Sequence, residues 1–251
     1  MRDMKDIARA LDPILLAKDC GLELDPWQAE LLRDRPRRAL LNCCRQSGKT
    51  TISVLIALYV ALYDSPALVM IVSPSQRQSA EAFKSLMTLY GKLDEVPRLR
   101  QESVLRAEFE NGSRIVALPG SQKTTRGYAG VKLVLIDEAA RVENDLIQAV
   151  RPTLAVTEGG GTIMALSTPN GAQGWFYEAW MHGGDVWHRV RVPAEACPRI
   201  SKEFLEEELK QLGPSRFSEE YSLAFVDPES SVWNAAIIDS AFSSELRPLW
   251  T

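Results

Sequence analysis

Cysteine is scarce and scattered in this sequence. Cys20, Cys43, Cys44 and Cys197 show neither the paired spacing of a metal site nor a disulfide framework. A reducing, cytoplasmic setting is the expected one. Long apolar runs are missing too. The longest, such as Ile52 to Ala61, fall short of the roughly 20 residues that span a bilayer. The opening Met1-Arg2-Asp3-Met4-Lys5-Asp6 carries acids and no apolar core, unlike a secretory signal. There is no internal repeat, low-complexity tract or long linker. These absences exclude a disulfide-stapled scaffold, a collagenous chain and a membrane-spanning one. What is present is an ordinary globular mixture: 251 residues, 45% hydrophobic and 25% charged, enough for one large domain.

The net charge of −4 argues against a nucleic-acid partner only until its distribution is read. From Ser201 to Thr251 there are four Lys/Arg against ten Asp/Glu, a local balance of −6. Residues 1 to 200 therefore hold 25 Lys/Arg against 23 Asp/Glu, or +2. A locally basic surface on that body is compatible with this count, as is a mixed solvated surface.

Periodicity predicts one helix from Asp3 to Ala17. A second follows Asp25-Pro26, where Asp25 suits the N-cap and Pro26 the first helical position. Strand and helix then alternate. Strands are expected at Arg38 to Cys43, Ala67 to Val72, Lys132 to Ile136 and Thr162 to Ser167. Helices are expected at Lys49 to Tyr63, Gln76 to Tyr90 and Asp145 to Val156. Val104 to Phe109 and Arg114 to Leu118 flank Asn111-Gly112, a hairpin turn signal. The alternation predicts an α/β fold with a mainly parallel sheet, whose ligands bind at the carboxyl ends of the strands. Helices are expected again from Ser201 and over Pro214 to Leu223. The expected division is a domain over residues 1–226, with 1–37 as a helical lead-in, and a linker or tail over 227–251.

Cys43-Cys44-Arg45-Gln46-Ser47-Gly48-Lys49-Thr50 lies between a predicted strand and helix. It matches the phosphate-loop pattern GxxxxGK[ST] at its last three positions, with Cys43 in place of the first glycine. Backbone N–H groups from Ser47 to Thr50 would cradle phosphate at a helix N-terminus. Lys49 would reach the β- and γ-phosphates, and Thr50 would ligate Mg²⁺. A glycine turn before an ordinary helix is the bland alternative. The second signal is Lys132-Leu133-Val134-Leu135-Ile136-Asp137-Glu138, an apolar strand ending in two acids. Asp137 suits the Mg²⁺ shell. Glu138 suits deprotonation of a water that attacks the γ-phosphorus. An acid pair favours ATP hydrolysis. Taken alone, the two acids also suit a helix N-terminus.

Arg45-Gln46-Ser47-Gly48-Lys49-Thr50, Asp137-Glu138-Ala139-Ala140 and Ser167-Thr168-Pro169, in this order and spacing, resemble the ATPase domain of large terminase subunits. These are the motors that package DNA into tailed-bacteriophage capsids. The resemblance covers about Leu24 to Val226, and it implies a RecA-like, ASCE-type P-loop fold with ATP and Mg²⁺ as cofactors. It implies an adenine-reading role for Gln28, in Pro26-Trp27-Gln28, whose amide offers both donor and acceptor. It implies that Arg45 touches the γ-phosphate and that Ser167 and Thr168 couple hydrolysis to movement. Arg126, in Thr124-Thr125-Arg126-Gly127, is the best candidate for a finger on a neighbouring subunit's ATP, a device worth roughly 10³–10⁵ in rate. Ser73-Pro74-Ser75-Gln76-Arg77 resembles a helicase-like segment that meets DNA or an adjoining subunit.

The resemblance also implies double-stranded DNA, a portal protein and a small terminase subunit as partners. It implies a homo-oligomeric ring when assembled and a monomer in isolation, with no membrane. The setting would be the host cytoplasm, transiently at the procapsid portal. Such subunits usually carry a C-terminal nuclease domain, which would begin about where this sequence stops, so no nuclease activity is expected of these residues. Two alternatives stay open at this point. A helicase or remodelling ATPase would need a second RecA-like domain. A non-hydrolysing nucleotide switch would have no use for Glu138.

Overall fold

The structure is a computed structural model and describes residues 4–119, 125, 127–157 and 159–226. Eight strands form one sheet: β1 (Arg38–Cys43), β2 (Leu68–Ser73), β3 (Leu99–Ser103), β4 (Arg106–Phe109), β5 (Arg114–Pro119), β6 (Val131–Asp137), β7 (Thr162–Ser167) and β8 (His188–Val192). Their order is β3-β4-β5-β2-β6-β7-β1-β8. The β5-β2-β6-β7-β1-β8 block is parallel, and β4 and β3 extend it antiparallel, β4 against β5 and β3 against β4. The turn at Asn111-Gly112 joins β4 to β5 as expected. The Asn111 amide is held by the Ala61 carbonyl at 2.9 Å, and Gly112 takes φ +84.

Side chains on the parallel strands alternate between two cores, because successive residues of a strand face opposite sides. Ala39, Leu41, Val69, Ile71, Leu133, Leu135, Met164 and Leu166 join one core. Leu40, Met70, Val72, Val134, Ile136, Ile163 and Ala165 join the other. The first is covered by α2 (Pro13–Asp19), α3 (Pro26–Asp34), α4 (Lys49–Tyr63) and α5 (Gln76–Tyr90). The second is covered by α6 (Asn144–Val150), α7 (Gly174–His182) and the short 3₁₀ turns that flank α6. Helix α4 is apolar nearly all round and buried along most of its length, as a helix between a sheet and an outer layer must be.

Two expectations need correction. The single helix from Asp3 to Ala17 is two: α1 (Met4–Leu11) ends before Asp12, whose side chain accepts from the Ile14 N–H to start α2 at Pro13. Proline is favoured at the first turn and disfavoured inside a helix, so Pro13 marks a new start. The helix expected to Val156 stops at Val150 and tightens into a 3₁₀ turn at Arg151–Leu154, because Pro152 removes a backbone donor. Sequence periodicity also missed β3, α7 and β8. Both helices expected after Ser201 are present, as the two halves of α8 (Lys202–Glu220). It is broken at Gly213, where φ is 75° and ψ 166°, just before Pro214. Residues 227–251, read as a linker or tail, lie outside the described residues.

Candidate functional site

The carboxyl ends of β1, β7 and β6 lie side by side, with Asn42 in register with Ser167 and Asp137 with Leu166. Strand β7 thus separates the phosphate-loop strand from the acid-bearing strand, and all three predicted motifs meet at one edge. The loop after β1 turns through two left-handed residues, Gln46 at φ 58° and Gly48 at φ 85°. The buried Ser47 hydroxyl donates to the Cys44 carbonyl at 2.8 Å and closes the turn. Gly48 is required twice over. Its φ suits glycine, and a Cβ there would stand 2.6 Å from Gln28 Nε2. The loop then delivers its chain into the N-terminus of α4, whose first N–H groups have no carbonyl one turn back and point outward. A helix N-terminus of this kind favours an anion.

Lys49 opens α4, is 8% exposed, and sets its ammonium 3.6 Å from Glu138 Oε1. Glu138 itself is left-handed, at φ 50°, a conformation that costs a non-glycine residue free energy and re-aims the chain after β6. Its N–H donates to Asp137 Oδ1 at 3.0 Å. Burial pushes the Asp137 carboxyl from 3.8 to about 6; repulsion from Glu138 adds to the rise and Lys49 opposes it. Thr50, Asp137 and Glu138 line one cavity of about 480 Å³ with Arg77, Gln78 and Glu81 of α5. The Ser73–Arg77 segment therefore borders the acid end of the site.

Gln28 is 4% exposed and braces the loop. Its Nε2 donates to the Gly48 carbonyl at 3.3 Å, and its Oε1 accepts from the Asp25 N–H at 2.9 Å. Arg45 turns outward and pairs with Glu220 at the end of α8, Nε to Oε2 at 2.7 Å. Ser167 and Thr168 are buried, and Ser167 Oγ accepts from the Ala140 N–H at 3.2 Å. Arg126 lies outside the described residues.

Sequence reasoning missed three residues. Arg141 Nη1 donates to Glu138 Oε2 at 2.9 Å and to Thr168 Oγ1 at 3.1 Å. Glu220 sits between Arg45 and Arg141. Arg199 donates to both Asp25 oxygens, at 2.8 and 2.7 Å, and to the Ser47 carbonyl at 3.1 Å. The spacing of Arg141, three residues after Glu138 on a short helical turn, was the available signal. Glu220 and Arg199 come from segments distant in sequence, and nothing local marks them. The thiols of Cys44 and Cys197 touch at 3.6 Å behind the loop. Burial drives the Cys44 thiol up to about 12, so it packs there as a neutral group at physiological pH.

Residues 40–240 match the family model described as terminase large subunit, T4likevirus-type, N-terminal. The chain belongs to this family. Solved structures agree on the fold. The large terminase ATPase domain of Thermus phage P74-26 superposes with TM-score 0.70 at 20% identity, covering 84% of this chain and 97% of that one. The large terminase of the thermophilic bacteriophage D6E, in complex with ATP-γ-S, gives 0.67 at 12% identity over 81% of this chain and 53% of its own. That of bacteriophage HK97 gives 0.65 at 19% identity over 80% and 50%. The terminase domain described here thus spans about half of the two longer chains. It corresponds to the N-terminal part of a terminase large subunit. None of its described helices is long and apolar enough to cross a membrane.

Proposed function

We propose that this domain binds MgATP on the phosphate loop and hydrolyses it to drive double-stranded DNA into a procapsid. The supporting observation is the convergence of Thr50, Asp137 and Glu138 on one cavity, with Lys49 paired to Glu138 at 3.6 Å. The residues fit Mg²⁺. Among those described, no group of three or more His, Cys, Asp or Glu is arranged to hold a metal. Mg²⁺ is commonly held by one or two carboxylates together with substrate phosphates. Thr50 and Asp137 would hold the ion, which when bound polarises phosphoryl oxygens. Desolvation makes Asp137 a carboxylate that gains from a cation.

Lys49 and the N–H groups of Ser47 to Thr50 bind and orient the phosphates. Glu138 takes the proton of the attacking water as general base. For that, one of its oxygens must be free, which follows once phosphate charge draws Lys49 away. Each end of the Gln28 amide keeps one further hydrogen-bonding position for an adenine edge. Arg45 reaches a γ-phosphate by leaving Glu220. Ser167 and Thr168 carry the change in the Glu138 turn into β7. Arg126 serves the neighbouring subunit in a ring built on the portal, with the small terminase subunit as a further partner in the host cytoplasm.

Lys49→Ala and Glu138→Gln test the site. Nucleotide titration should show ATP binding abolished by the first and retained by the second. Phosphate release should be lost in the first and fall to a small residual rate in the second, because a Gln amide cannot accept the water's proton. Normal hydrolysis by Glu138→Gln would remove that residue from its role.

A further inference from the structure

The turn that follows Glu138 is tied to the end of β7 twice. The Ala140 N–H donates to Ser167 Oγ at 3.2 Å, and Arg141 Nη1 donates to Thr168 Oγ1 at 3.1 Å. The same Nη1 donates to Glu138 Oε2 at 2.9 Å, and Nη2 stands 3.9 Å from Glu220 Oε1 on α8. Both oxygens of Glu138 are consequently spoken for, Oε1 by Lys49 at 3.6 Å and Oε2 by Arg141. The two cations differ in what they do next. Lys49 lies in the phosphate cradle, and a bound phosphate competes for it. Arg141 belongs to the Glu138 turn itself and its remaining partners are protein groups, so it has no reason to leave.

We infer that Arg141 is the positioning residue of the hydrolytic centre. It anchors Glu138 by Oε2, leaves Oε1 as the oxygen that receives the water's proton, and fixes that carboxylate to Thr168. This inference rests on Glu138 acting as the base. A guanidinium suits the task because its planar array of donors holds several partners in fixed directions. A carboxylate without such an anchor rotates about its side-chain torsions, and misplacement of a reacting group by about 1 Å costs on the order of 10²-fold in rate. The link to Thr168 gives the base and the end of β7 a common mechanical element. A change in Glu138 pairing during turnover moves the Ser167-Thr168 backbone with it.

The test compares steady-state phosphate release and nucleotide titration for Arg141→Ala, Arg141→Lys, Thr168→Val and Glu138→Gln, alone and combined. Arg141→Ala should lower kcat on the order of 10²-fold and leave KM and ATP affinity within about twofold. A group that acts only through another adds nothing once that other is gone. Adding Arg141→Ala to Glu138→Gln should therefore leave the residual rate unchanged. Arg141→Lys should recover part of the loss, since an ammonium pairs with Oε2 but does not span Thr168 and Glu220 at once. Thr168→Val should lower kcat by less than Arg141→Ala, and the two losses should not add.

Wild-type kcat in Arg141→Ala would overturn the inference. So would a loss confined to KM, or a further drop on the Glu138→Gln background. If Arg141→Ala does not fold, Arg141→Lys decides by the same kcat-against-KM split, and an unchanged kcat there counts against the anchor. Normal turnover by Glu138→Gln marks the different failure, that of the base assignment itself.

Discussion

Asp137 carries the clearest electrostatic consequence at the scale of one residue. Its carboxyl is raised from 3.8 to about 6, chiefly by burial. An acid raised on folding binds more protons in the native state than in the unfolded one between about pH 4 and 6, so stability falls as pH rises through that window and stays lowered above it. The cost at neutral pH is up to about 3 kcal/mol. Asp137→Asn keeps an oxygen for the Glu138 N–H and removes the charge. The nucleotide-free variant should therefore melt higher than wild type at pH 8, with the gap closing toward pH 4. Thermal unfolding at several pH values measures this; a gap independent of pH, or a variant less stable at pH 8, would refute it. Sequence alone located this acid and its neighbours Lys49, Thr50 and Glu138, because each sits within a few residues of a strand end. It did not locate Glu220 or Arg199, whose importance depends on α8 and its preceding loop folding back over the strand ends.

The helix that opens the described chain is built inside out. Helix α1 buries Asp6 and Arg9, at 2% and 1% exposure, and turns Met4 and Leu11 outward at 80% and 82%. Arg9 holds it in place: Nε donates to Asp19 Oδ2 at 2.6 Å and Nη1 to the Asp94 carbonyl at 2.6 Å. Periodicity found helical spacing here but no core face to assign, because ion pairing and not apolar burial docks this element. Removing Arg9 takes away both the Asp19 pair and the bond to the Asp94 carbonyl. The outcome expected of Arg9→Ala is local, because α1 can detach without opening the sheet. Amide exchange over residues 4–11 should accelerate while the strands stay protected. Unchanged protection of α1 would show that the pair does not hold it. By contrast α4 and α5 were read from sequence to the residue, since a capping Gly48 or Ser75 and a continuous apolar pattern set their bounds. The elements that were missed have weaker marks. Strand β3 is short, exposed and edge-placed, and β8 is half-exposed on the other edge. At such positions neither alternation nor burial is strong enough to announce a strand.

At the scale of the whole molecule, function depends on what the domain meets. Residues 1 to 200 carry +2 while the remainder carries −6. DNA affinity should be modest and should fall steeply as salt rises, because each Lys/Arg–phosphate contact releases counterions. Binding that is equal at low and physiological salt would exclude such contacts. The assembly question turns on Arg126, which stands twelve residues before Glu138. If it acts on a neighbour's ATP, an isolated monomer lacks it at its own site. Basal turnover is then slow and rises per molecule with protein concentration, or when partners template a ring. Arg126→Ala should leave nucleotide affinity nearly intact, because charge on the transferring phosphoryl group is greatest in the transition state. It should abolish only the assembly-dependent part of the rate. The decisive experiment mixes two inactive proteins, Arg126→Ala and Glu138→Gln. The first keeps the base and lends no finger; the second lends a finger and has no base. Where the two alternate in one ring, every Arg126→Ala site faces an intact arginine, so hydrolysis returns. Mixtures shown by light scattering to co-assemble, yet without recovered phosphate release, would place Arg126 in its own subunit or outside the reaction.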